Sequence, residues 1–76
     1  MKALNVAAVI EHLGGGATLA RELTKLTGET VKPMVIYQWK RRNRIPGDWI
    51  AKLIELAENK NKQFNLKDFM NEEINS

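Results

Sequence analysis

The stretch Lys32-Pro33-Met34-Val35-Ile36-Tyr37-Gln38-Trp39-Lys40-Arg41-Arg42-Asn43-Arg44 decides the reading of this chain. Pro33 suits the first position of a helix, where its missing N–H costs nothing. Ile36 and Trp39 stand three apart and mark a single inward face, so the spacing predicts a helix over 33–42 that is held from one side. A large aromatic at that spacing belongs to a core more often than to a contact surface. The other faces then hold Met34, Val35, Tyr37, Gln38 and Arg41. Lys32, Lys40, Arg41, Arg42 and Arg44 fall within thirteen residues that contain no acidic side chain. The whole chain carries only +3, from twelve Lys and Arg against nine Asp and Glu, so its positive charge is focused here. Focused charge of this kind is the footprint of a polyanionic partner. Basic residues at a helix C-terminus also complement the helix dipole, so charge alone does not decide the matter.

The neighbouring segments extend the helical pattern in both directions. Downstream, Ile45-Pro46 opens a helix over 46–59 whose apolar stripe is Trp49, Ile50, Leu53, Ile54, Leu56 and Ala57. Upstream, Leu19, Ala20, Leu23 and Leu26 have the spacing of a buried stripe, with Arg21, Glu22 and Lys25 outward, which predicts a helix from Ala17 to about Thr27-Gly28. A short turn at Glu29-Thr30-Val31 joins it to the helix at 33. Before it, Leu4, Val6, Ala7, Val9, Ile10 and Leu13 repeat helically, and Asn5 suits an N-cap, so a first helix spans 5–13. Gly14-Gly15-Gly16 ends it, because glycine readily takes the positive φ of a helix stop. No phosphate-loop lysine follows the glycines and no βαβ pattern surrounds them. The tail from Lys60 is polar with isolated apolar residues. Phe64 and Leu66 alternate as in a strand, whereas Leu66, Phe69, Met70 and Ile74 fit a helical turn or two, and both readings stand.

These elements amount to an all-α fold of four short helices with a C-terminal tail. At 76 residues the chain is one domain, since domains usually run to about 100–150 residues. The helices occupy 1–59, and 60–76 serves either for dimerisation or for capping a small core. Hydrophobic residues at 43% and charged residues at 28% are globular values, so most of the chain folds. The absence of cysteine excludes disulfides and thiolate chemistry and accords with a reducing cytoplasm. The longest apolar run, Val6 to Ile10, is far short of the roughly 18–20 residues of a membrane span, and the N-terminus lacks a signal-peptide pattern.

Catalysis needs polar groups converging on one pocket, and one His, one Tyr and scattered carboxylates do not supply them. His12 falls in the last turn of the first helix, where an imidazole faces the dipole favourably, and no second ligand stands at metal spacing. Glu72 and Glu73 are adjacent and so point apart on any regular element. No enzyme activity, metal or cofactor is expected. Binding is a better use of these residues. Gln38 can offer a donor and an acceptor to adenine N6 and N7, Arg41 can reach guanine O6 and N7, and Met34 or Val35 can pack on a thymine methyl. Lys40, Arg42 and Arg44, with Lys32 and Asn43 at the two ends of the helix, suit phosphates, which add affinity and salt dependence with little sequence information.

Lys32 to Lys40 resembles the S-P-x-x-V-x-x-W-K recognition-helix signature of small phage and prophage regulators, the Cro and YdaS-like branch of the lambda-repressor-type helix-turn-helix family. Arg44-Ile45-Pro46-Gly47-Asp48-Trp49-Ile50 is similar to the arginine and I-P-x-x-W that open the next helix in that branch, and Ala20 matches the small residue of its second helix. The resemblance covers about residues 4–58. It departs from the pattern in the length between Ala20 and Trp39, which is nineteen positions instead of the usual thirteen. The resemblance implies a helix-turn-helix in the second and third helices and a repressor that occupies operator DNA in the major groove, in a bacterial cell. It implies phosphate contact at the start of the second helix through backbone N–H groups and Thr18. It also implies a homodimer, weak or formed on DNA, on a palindromic site, with the Phe64 to Ile74 tail as the source of dimer contacts. From the basic face alone, a protein-interaction module such as an antitoxin or anti-repressor is the rival.

Overall fold

Four α-helices make up most of the computed structural model, which describes residues 2–72: α1 (Val6–His12), α2 (Gly16–Thr27), α3 (Pro33–Arg42) and α4 (Gly47–Asn59). The fold is small and all-α, with bounds within about a residue of those the periodicity predicts. Two additions lie outside the helical reading. Strand β1 (Lys2–Leu4) pairs antiparallel with β2 (Met70–Glu72), Leu4 opposite Met70, and a 3-10 turn over Leu66–Phe69 leads into β2. Leu4, counted in the helical repeat that precedes the glycines, therefore belongs to a strand. In the tail the helical turn falls at 66–69 and the strand after it, at 70–72, instead of at Phe64-Leu66. Glu73 and Ile74 lie outside the described residues.

Local chemistry sets each boundary. Asn5 caps α1, its Oδ1 accepting the Ala8 N–H at 3.1 Å. The chain leaves α1 through Gly14 and Gly15, at φ 107° and 93°, where L side chains are strained, and the Gly15 N–H donates to the Ile10 carbonyl at 2.9 Å. Gly28 closes α2 at φ 77°, again in the left-handed region. The turn to α3 is tied down by Thr24. Its hydroxyl donates to the Ala20 carbonyl at 2.9 Å, and it accepts the Val31 N–H at 2.8 Å. With its amide satisfied, Val31 can bury its side chain under the turn.

The core runs through all four helices. Val6 and Val9 of α1, with Leu13 just after it, cluster with Leu19, Ala20 and Leu23 of α2, Ile36 and Trp39 of α3, and Leu53, Leu56 and Ala57 of α4. Each fully buried Val, Leu or Ile contributes roughly 1.5–3 kcal/mol relative to exposure. One member of the expected α4 stripe is displaced: Ile54 is 38% exposed, because it stands 100° around the helix from fully buried Leu53. No helix among the described residues is long and apolar enough to cross a membrane.

The tail folds back over the end of α1. Phe64 and Phe69 pack on the core, 5.6 Å apart between ring centroids, with the His12 ring 6.3 Å from the first and 5.1 Å from the second. The His12 Nε2 donates to the Gln63 carbonyl at 2.8 Å, and the Asn5 N–H donates to that of Phe69 at 2.6 Å. His12 is thus a clasp for the tail as well as a helix-end residue.

Candidate nucleic-acid interface

Helix α3 starts without a side-chain cap, since Lys32 occupies the N-cap position, and Pro33 at its first position removes one of the orphan donors. It is then fixed by two side chains. Ile36 is fully buried and Trp39 is 6% exposed, with the Trp39 ring 5.5 Å from that of Trp49 at a tilt of 50°. An edge-inclined pair of this geometry is favourable beyond its area, by about 0.5–1.5 kcal/mol. At 100° per residue, anchoring positions 36 and 39 turns 34 and 41 directly outward, with 37 and 38 about 50° to either side. All four residues are exposed, Met34 by 67% and Tyr37 by 61%. From Met34 to Arg41 the exposed ridge is about 10 Å long, and a helix with its side chains is about as wide as the B-DNA major groove.

Val35, expected on this face, is not part of it. It is half-buried on the flank toward α4, where it lines a groove with Gln38, Trp39, Arg42, Arg44, Pro46 and Trp49. The opposite flank carries Pro33 and Lys40, which together with Tyr37 border a cleft at the start of α2 beside Gly15, Gly16 and Ala17. Lys32, Lys40, Arg41, Arg42 and Arg44 are all exposed, and among the described residues none is paired with a carboxylate. Their charge spans both flanks and the C-terminal end of α3.

Two further expected residues sit at element ends. Thr18 lies half-buried in the first turn of α2, whose N-cap is Gly15, so no side chain satisfies the leading N–H groups. Asn43 ends α3 in the left-handed conformation at φ 52°, and its Oδ1 accepts the Val6 N–H at 3.0 Å. Its carbonyl end is thereby committed to α1, and only the amide end is free to donate outward. This contact ties the end of α3 to the start of α1, 37 residues away in sequence. Sequence reasoning missed the Pro46 and Trp49 wall of the flanking groove as well, although the Ile45-Pro46 and Trp49 spacing was its signal.

Comparison of the chain with family models, with curated proteins and with solved structures returned no significant match.

Proposed function

We propose that the chain is a sequence-specific double-stranded DNA-binding regulator, a Cro-type repressor, which enters the major groove with α3. The observation that carries this reading is the outward face of α3: Met34, Tyr37, Gln38 and Arg41 are free of the core, and cations with no carboxylate partner among the described residues border them on both sides. In this reading α2 and α3 form a helix-turn-helix with a five-residue turn over 28–32. Gln38 reads adenine and Arg41 guanine by bidentate hydrogen bonds. Lys32, Lys40, Arg42 and Arg44 neutralise phosphates, joined by the N–H groups at the start of α2, by Thr18 and by the free amide end of Asn43.

A single such helix offers few base contacts. Two copies on a palindrome, with half-sites about one helical turn or roughly 34 Å apart, double them. Occupation of an operator that overlaps a promoter then excludes RNA polymerase without any chemistry at the site.

The test is fluorescence anisotropy of the full chain on labelled duplexes from the region flanking its own gene, at several salt concentrations, with random DNA as competitor. The reading expects at least about 10³-fold preference for one fragment and a steep fall in affinity between about 50 and 200 mM salt. Weak binding with no preference removes it and leaves the basic face to an acidic protein partner.

A further inference from the structure

Among the described residues three large apolar side chains are more than a third exposed: Met34, Tyr37 and Ile54, at 67%, 61% and 38%. The two most exposed lie three residues apart on the outward face of α3, close enough to form one apolar spot. Single exposed apolar residues need no explanation, but Met34 and Tyr37 adjoin one another on a face flanked by cations that have no carboxylate partner among the described residues. Polarity is graded along the helix. Its N-terminal half presents a thioether and a phenol ring outward, and its C-terminal half presents Gln38 and then Lys40, Arg41 and Arg42.

We infer that Met34 and Tyr37 together form a contact site for the 5-methyl group of a pyrimidine in the major groove, adjoining the bases met by Gln38 and Arg41. The inference rests on the DNA reading above and goes one step beyond it. Duplex DNA is the occupant because the cations around the spot complement a polyanion and would leave an apolar protein partner with unpaired charge to desolvate. The only apolar group that B-DNA displays in that groove is the pyrimidine 5-methyl, which thymine carries and unmodified cytosine lacks. A flexible, polarizable methionine adapts to so small a target, and the Tyr37 ring closes its other side. Val35, the other candidate for this contact, is half-buried against α4 and does not reach the outward face. Thymine and 5-methylcytosine share the chemistry.

The experiment begins with selection of the tightest duplexes from a random-sequence library by the full chain. Each thymine of the selected half-site is then replaced by uracil, which removes the methyl and nothing else, and in a second arm by cytosine or 5-methylcytosine. One thymine is expected at which uracil weakens binding about fourfold, the worth of one buried methyl. At the same position 5-methylcytosine should bind more tightly than cytosine by a similar factor if the methyl is read irrespective of the base carrying it, and the uracil arm alone identifies thymine as the source. Met34→Ala and Tyr37→Ala should each bring the thymine-to-uracil ratio close to one, while both variants remain folded because neither side chain is in the core. A selected duplex indifferent to every uracil, or a ratio unchanged in both variants, overturns the inference and leaves the DNA reading intact. Failure to select any duplex overturns both.

Discussion

Helices α3 and α4 follow one another in sequence, ten and thirteen residues long, and use their side chains differently. Helix α4 buries Leu53, Leu56 and Ala57 and half-buries Trp49 and Ile50, a broad stripe that makes it scaffold. Helix α3 buries two side chains, half-buries one and leaves seven exposed. The difference teaches where selection on the surface can act. A helix with a wide buried stripe has most positions constrained by packing density, whereas one held at two points can vary its outer face with little effect on the fold. The cost is that those two points, with the Asn43 tie at the helix end, carry most of the placement of the exposed face.

The largest effect is expected where that dependence is sharpest. Trp39→Ala removes one of the two anchors and the partner of Trp49, and should destabilise the domain by about 3–5 kcal/mol in chemical denaturation. A folded variant with near-normal stability that had only lost a ligand would reverse the division between anchor and outer face. Next is Asn43, which fixes the end of α3 to the start of α1. Asn43→Gly keeps the left-handed backbone and deletes the acceptor for the Val6 N–H, so its loss, about 1 kcal/mol, isolates that hydrogen bond. Asn43→Ala adds the penalty of a left-handed Cβ, about 1–2 kcal/mol more. Equal stability of the two variants would show that the backbone at 43 relaxes and that the join is looser than the 3.0 Å bond implies.

Gln38→Ala probes the outer face itself. Thermal stability should change by less than about 0.5 kcal/mol, since an exposed glutamine is replaced by a better helix former. Binding to the preferred duplex should weaken by about 1–3 kcal/mol, with random DNA unaffected and preference relaxed at one base pair. Equal losses on both kinds of DNA would take Gln38 away from the bases.

Much of this division was readable from the sequence, and the exceptions share a cause. Helix spans follow from periodicity and punctuation, which are local: the glycines at 14 and 28, Pro33 and Pro46, and the apolar stripes between them. Ile36 and Trp39 were placed inward on spacing alone. Strands β1 and β2 escaped because three residues are too few to show a period, and their partners lie at opposite ends of the chain. The His12 clasp and the Asn43 cap are likewise made between elements, over 51 and 37 residues. Val35 and Ile54 were misplaced for another reason. Each lies about 100° from a fully buried residue, at the edge of a stripe, where the packing of the neighbouring helix and not the period decides exposure.

Arg42 gives the smallest effect and the finest distinction. It stands on the α4 flank of α3, exposed, with no carboxylate partner among the described residues, in the same groove as Arg44 and Trp49. Arg42→Ala should leave the fold nearly unchanged, apart from about 0.3–1 kcal/mol of lost helix-dipole interaction. On DNA it should weaken preferred and random duplexes alike and lower the slope of log affinity against log salt by about one, the mark of a single released counterion. An unchanged slope would place its guanidinium on the Trp49 side of the groove, away from the phosphates. The flank would then belong with α4, as scaffold, and the interface would narrow to the outward ridge and the Lys40 side of α3.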